Sequence, residues 1–205
     1  MIRNIIFDFG GVIYDIDHNL SKLAFEKLGV HHFDQLYGHQ IQAEMFGKIE
    51  TGSISETVFL NYLKQFLPQN TSLKDIEDAW CALLLGFDSR KLDLLKSLAK
   101  NYRLFLLSNS NIIHYKRFIS ELNQLTDFRS LFNDVWFSHE KGMRKPDREF
   151  YLTLLDQHEL QAEESLFIDD LESNIEAARN IGIQTYYLQN ENILDLFENA
   201  VWVRN

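Results

Sequence analysis

Two rhythms of apolar residues divide this chain. Residues 5–13 read IIFDFGGVI, a β-branched and aromatic run of the length of one buried strand, closed by Gly10 and Gly11. Beyond it, apolar positions fall three and four residues apart over 19–28, 33–46, 55–67 and 72–85. That spacing predicts four successive helices with no strand among them. From Ser89 onward a helix gives way to strands at 103–107, 134–137, 165–168 and 184–188, separated by helices that include 147–158 and 171–180. Alternation of this kind predicts a parallel sheet with right-handed crossovers. The expected fold class is α/β, a doubly wound Rossmann-like parallel sheet. The helical block after the first strand reads as an insertion, so 1–15 and 88–205 are expected to form the core domain and 16–87 a helical cap. Only two prolines occur, Pro68 and Pro146, one in a cap turn and one in the loop before the 147–158 helix.

Composition narrows the classes. With 205 residues, 45% of them hydrophobic and 13% aromatic, the chain can bury a core and hold an inserted smaller unit. A net charge of −10 argues against a nucleic-acid surface, which needs concentrated Lys and Arg. An anionic small ligand would have to meet a local positive site. The single cysteine, Cys81, fits a reducing compartment, and beside Trp80 it reads as core filler. The first strand begins at once and no apolar run approaches the ~20 residues that span a bilayer, so neither an export signal nor a membrane partner is expected and the location expected is cytoplasmic. The seven histidines, including His31 and His32, show no zinc-ligand spacing and read as surface or core residues.

The chemistry gathers at strand ends. Asp8 follows the first strand, Ser108 and Asn109 end the segment RLFLLSNS, and Asp169 and Asp170 follow SLFI. Between them KGMRKPDREFY carries Lys141, Arg144 and Lys145. Ligands of open α/β sheets bind beyond the carboxyl ends of the strands, and paired glycines let backbone amides approach an anion. Adjacent carboxylates repel unless a cation or proton relieves them, and Mg²⁺ suits such oxygen ligands. Each feature also has a plainer reading: Asp8 as a turn residue, 108–110 as a helix cap, the lysines as solvated surface.

In their order, Asp, Ser, Lys and Asp-Asp, these segments resemble the four motifs of the haloacid dehalogenase-like hydrolases over the whole chain. The forms FD-x-G-x-VI-x-DID, GMRKP and DD-x-x-x-NIE are similar to the bacterial α-D-glucose-1-phosphate phosphatase-like branch, with its helical cap. The resemblance implies a Mg²⁺-dependent phosphatase acting on a small phosphorylated metabolite, for instance a hexose phosphate, through an aspartyl-phosphate on Asp8. It implies that Ser108, Asn109, Lys145 and the Gly10 and Gly11 backbone contact phosphate, with Lys141 the competing lysine. Asp8, Asp169, Asp170 and the Gly10 carbonyl would hold the metal, with Asn174 behind them.

One position departs from that pattern. Most such phosphatases carry a second Asp two residues after the nucleophile as general acid, and here Gly10 stands there. Asp15, Asp17, Glu44, Lys48 or Glu50 could compensate, as could a leaving group that departs with little protonation; Asp15 and Asp17 read first as turn residues capping the first cap helix. The alternatives are a haloacid dehalogenase, whose relatives work without metal and lack the acidic pair, and a weakly active scaffold that serves as a binding partner. The segment ETGSIS at 50–55, with Phe59, is similar to an E-x-G-x-IS-x-x-x-F stretch of the branch. It reads either as a wall of the substrate opening or as a tight turn and helix start. The expected oligomeric state is a monomer or weak dimer.

Overall fold

The computed structural model describes residues 1–30, 40–198 and 201–202. Strands β1 (Asn4–Phe7), β4 (Arg103–Ser108), β5 (Asp134–Phe137), β6 (Ser165–Asp169) and β7 (Gln184–Tyr187) form one sheet in the order β5-β4-β1-β6-β7, every pairing parallel. Between them run helices α5 (Ser89–Leu98), α6 (Ile112–Leu125), α7 (Ser138–Lys141), α8 (Arg148–Gln157) and α9 (Glu172–Arg179).

The period-two rule explains the near-continuous apolar strands. Ile5, Phe7, Leu104, Leu106, Leu166 and Ile168 face one side, where Leu95 and Leu98 of α5 and Phe118 and Leu122 of α6 cover them. The intervening Ile6, Phe105, Leu107 and Phe167 face the other, against Tyr151 and Leu154 of α8 and Ile175 and Ala178 of α9. Both faces are buried along the middle of the three central strands, so their inner positions are apolar on both sides and the polar residues fall at the strand ends. From β1 the chain passes to β4 and β5 on one side and to β6 and β7 on the other. The strand order therefore reverses at β1, where Phe7 pairs with both Leu106 and Ile168. Such a switch point opens a crevice beyond the strand ends.

Between β2 (Asp15–Ile16) and β3 (Leu84–Gly86), paired antiparallel, the described residues form α1 (His18–Lys27), α2 (Gln40–Glu50), α3 (Glu56–Lys64) and α4 (Leu73–Cys81). Each described start has a chemical reason: Asp17, Ser55 and Ser72 cap α1, α3 and α4, and Ser72 forms a capping box with Asp75. Their apolar faces make a separate cluster around Phe25, Ile49, Phe59, Ile76 and Trp80, joined by Ile113 of α6.

β3 corrects the expectation of an unbroken helical block. The apolar run 82–85 extends the helical rhythm of α4, but α4 stops at Cys81 and the run pairs with β2 instead. A short apolar run cannot be assigned by periodicity, and its partner lies some seventy residues away. The start of the helix expected over 33–46, with His31 and His32, lies outside the described residues; α2 continues to Glu50. Among the described residues, no helix is long and apolar enough to cross a membrane. A small antiparallel pair, β8 (Phe197–Glu198) and β9 (Val201–Trp202), follows the sheet.

Candidate active site

Asp8, Ser108 and Asp169 stand at the carboxyl ends of β1, β4 and β6, the three central strands. The Asp8 amide donates to Ile168 O at 2.9 Å, which fixes the residue beside β6. Lys145 enters from a loop. Gly142, at φ 69°, ends α7 in the left-handed conformation and turns the chain toward the strand ends. Asn109 then clamps the Lys145 backbone: its Nδ2 donates to Lys145 O and its Oδ1 accepts from Lys145 N, both at 2.8 Å. Ser138 Oγ bridges the neighbouring loop, donating to Ser110 O and accepting from Ser110 N, both at 2.9 Å.

Held this way, the Lys145 ammonium is 1% exposed and lies 2.7 Å from Asp8 Oδ1 and 2.7 Å from Asp169 Oδ2. Burial opposes its charge, but Asp169 and Asp8 outweigh burial and hold its pKa above the ordinary lysine value. Asp8 moves the other way. Burial lifts it to about 7 against the pull of Lys145, and Asp169 and Asp170 add to the rise. Both partners of so short a pair rise for different reasons: burial outweighs the single ammonium at Asp8, whereas two carboxylates face Lys145.

Asp169 is fully buried and its oxygens also accept from Asn174 Nδ2, at 3.0 and 3.1 Å, and from Leu171 N at 2.8 Å. Asp170 stands at the crevice surface. Burial of its carboxylate and repulsion from Asp169 raise its pKa. Its oxygen fits against Gly11 (φ 76°), where a Cβ would lie 2.7 Å from Asp170 Cγ and closer still to Oδ2. Among the described residues, Asp8, Asp169 and Asp170 form the one acidic group that could hold a metal, with ligand atoms all within 4.8 Å of one another. Three carboxylates facing one ammonium leave an excess of negative charge that a divalent cation would offset.

The other expected residues separate. Lys141 Nζ lies over the Trp136 ring at 4.1 Å, so Lys145 is the lysine at the acids. Ser108 is buried with its hydroxyl donating to Asn109 O at 3.3 Å. The cap of α6 is Asn111, which accepts from Ile113 N and His114 N. Asp15 pairs at 2.6 Å with the buried Lys91, and Asp17 accepts from Asn19 N at 2.9 Å. Glu44 pairs with Lys48 at 2.5 Å on the exposed side of α2. Gly52, at φ 67°, makes the turn after α2, and Phe59 is fully buried inside the cap.

A cavity of about 360 Å³ opens beside these strand ends, bounded by Gly10, Ser108 and Asn109 on one side and by Phe46 of α2 and Trp80 of α4 on the other. Glu50 and Arg144 meet on its wall at 3.1 Å; burial raises Glu50, with Arg144 and then Lys145 opposing. Trp80 stacks between Phe46 and His114, with centroids 5.4 and 5.1 Å away, and so ties α2 and α4 to α6. Burial lowers His114 to about 4 against its hydrogen bond to Trp80 O, so the ring is neutral near pH 7. A carbonyl only accepts, so Nε2 carries the proton and Nδ1 accepts from Asn111 Nδ2. Sequence reasoning gave no role to His18, which also lines this cavity, or to His114. A lone histidine near a helix start carries no signal until the fold shows what faces it.

Known proteins bear on the same arrangement. The haloacid dehalogenase-like hydrolase family matches residues 5–188. A D-ribitol-5-phosphate phosphatase of Bacteroides thetaiotaomicron is 32% identical over 195 residues, 93% of each chain. A haloacid dehalogenase-family enzyme of that organism, solved with magnesium and inorganic phosphate, superposes with a TM-score of 0.84 at 28% identity, covering 97% of this chain and 100% of that one. A haloacid dehalogenase-like hydrolase of Porphyromonas gingivalis gives 0.79 at 30% identity over 93% of this chain and 92% of its own. The strand-end acids, the buried lysine and the match across nearly the whole sheet agree, and the chain belongs to the haloacid dehalogenase-like hydrolase family.

Proposed function

We propose that the protein is a Mg²⁺-dependent phosphatase that releases inorganic phosphate from a small phosphorylated metabolite, with Asp8 as nucleophile. The observation that carries this reading is the buried Lys145 ammonium 2.7 Å from Asp8 and 2.7 Å from Asp169. A fixed positive charge beside a carboxylate suits phosphoryl transfer, where catalysis is mostly positioning and electrostatic stabilisation. Asp8 attacks phosphorus as the bond to the leaving oxygen breaks, and water then cleaves the aspartyl-phosphate. Lys145 holds the nucleophile's orientation and faces the phosphoryl oxygens. The Ser108 hydroxyl donates to one of those oxygens, beside the Gly10 and Gly11 backbone and Asn109. Asp8, Asp170 and the Gly10 carbonyl would hold Mg²⁺, with Asp169 bound also to Lys145 and Asn174, and the ion would offset charge on the transferring group.

The excess of acid over base at the site favours phosphatase over metal-free dehalogenation. For the leaving group, the similarity to a D-ribitol-5-phosphate phosphatase supports a sugar or polyol phosphate, whether a hexose or a pentitol. The test is phosphate release from a panel of hexose phosphates, ribitol 5-phosphate, nucleotides and an aryl phosphate, with and without Mg²⁺. Turnover that requires Mg²⁺ and prefers one sugar or polyol phosphate is expected. Inactivity across the whole panel would overturn the reading, and full activity in excess chelator would remove the metal from it.

A further inference from the structure

A phosphate ester of an aliphatic alcohol leaves as an alkoxide unless an acid protonates the departing oxygen. Gly10 offers no such group, and Ile16 Cδ1 lies 3.1 Å from where its Cβ would stand. The acids nearest in sequence are committed elsewhere: Asp15 to Lys91, and Asp17 to the start of α1. The ionisable side chains on the cavity wall are His18, Glu50, His114 and Arg144. His114 is neutral with both nitrogens engaged. A guanidinium does not release its proton in this range. Glu50 is raised by burial but faces Arg144 at 3.1 Å, an ion pair that a proton on Glu50 would break, so it is the competing donor that the experiment below must separate.

Resting on the phosphatase reading, we infer that His18 is the proton donor to the leaving group. It is the first residue of α1, exposed, and shares the cavity wall with Gly10 and Ser108. Its ring has no hydrogen-bond partner among the described residues. The same wall carries Ser108, Asn109 and Ser110 from the end of β4 and His114 from α6, so the ring borders the space beside the strand ends. Imidazole is the side chain best suited to hold and release a proton near neutral pH.

The proton balance closes. As the Asp8 Oδ–phosphorus bond forms, the bond to the leaving oxygen breaks, and that oxygen's electron pair takes the proton from the His18 imidazolium. Alcohol and neutral imidazole result. In the second step the imidazole takes a proton from the water whose oxygen attacks phosphorus. The Asp8–phosphorus bond breaks, phosphate leaves, and the imidazolium is restored.

The experiment compares wild type, His18→Asn and Glu50→Gln in kcat/KM for 4-nitrophenyl phosphate and for ribitol 5-phosphate, with thermal melts as a check on folding. This ratio reports the chemistry only as far as leaving-group departure, so the later water attack does not mask the effect. His18→Asn should lose about 10²-fold or more on the alkyl ester, within the range of general acid catalysis, and about 3-fold or less on the aryl ester, whose leaving group needs little protonation. Equal losses on both esters, no loss on either, or a selective alkyl loss in Glu50→Gln instead would each overturn the assignment. If hexose phosphates are turned over and ribitol 5-phosphate is not, the best of them serves as the alkyl ester; inactivity of the wild type across the whole panel would instead refute the phosphatase reading beneath it.

Discussion

Gly11→Ala tests the metal site without replacing a ligand. Gly11 adopts φ 76°, and an added Cβ would stand 2.7 Å from Asp170 Cγ, whereas ordinary contact begins near 3.4 Å. Asp170 must therefore retreat by roughly 0.7 Å or more, several times the ~0.2 Å tolerance of metal–ligand distances. A displaced ligand should weaken Mg²⁺ binding at least as much as losing a supporting partner does, about 10- to 100-fold. Left-handed backbone at a residue with a Cβ costs a further ~1–2 kcal/mol, which for a chain of this size lowers Tm by about 2–8 °C.

Gly142→Ala is the matched control. Gly142 has φ 69° and nothing within 4 Å of an added Cβ, so it shares the backbone strain and lacks the clash. Calorimetric Mg²⁺ titration and the Mg²⁺ dependence of phosphate release should separate the two variants, while their melting temperatures fall together. If Gly11→Ala binds Mg²⁺ as tightly as Gly142→Ala, Asp170 is not a ligand and the geometric reasoning fails.

Three other perturbations follow from buried partners. Lys145→Met leaves Asp8 and Asp169 facing each other without a counter-charge, which should cost about 3–5 kcal/mol in urea unfolding; adding Asp169→Asn should restore much of it, and a loss below about 1 kcal/mol would contradict the shared ion pair. Ser21→Ala removes a buried hydroxyl that donates to Trp80 O at 2.9 Å and accepts from Leu83 N at 3.1 Å, tying α1 to the end of α4. A loss of about 1–3 kcal/mol is expected, and a neutral substitution would show that the cap base does not depend on it. His114, lowered from 6.5 to about 4, binds its proton more weakly folded than unfolded. Its contribution is complete above pH 6.5 and is lost as pH falls from there toward 4, so the urea midpoint should drop from pH 7 to pH 5 more in wild type than in His114→Gln; equal drops would refute it.

How legible each part was depends on how far away its partner lies. Asp8, Ser108 and Asp169 could be found because a strand buried on both faces is a continuous apolar run, and the first polar residue after it stands at the sheet edge. Composition does not separate Lys145 from Lys141; the resemblance favoured Lys145, and the fold gives the physical difference, one lysine between two carboxylates and the other over Trp136. Asp15 looked available for proton transfer because nothing local shows that Lys91, seventy-six residues on, is buried against it. β3 was invisible for the same reason. Yet that strand decides the cavity: its pairing with β2, and the Asp17 N hydrogen bond to Leu83 O at 2.9 Å, fix where α1 begins. The start of α1 is His18. Its place on the cavity wall is therefore a consequence of one short antiparallel contact, and any change that loosens the β2–β3 pair should disturb leaving-group protonation before it disturbs the buried lysine and acids.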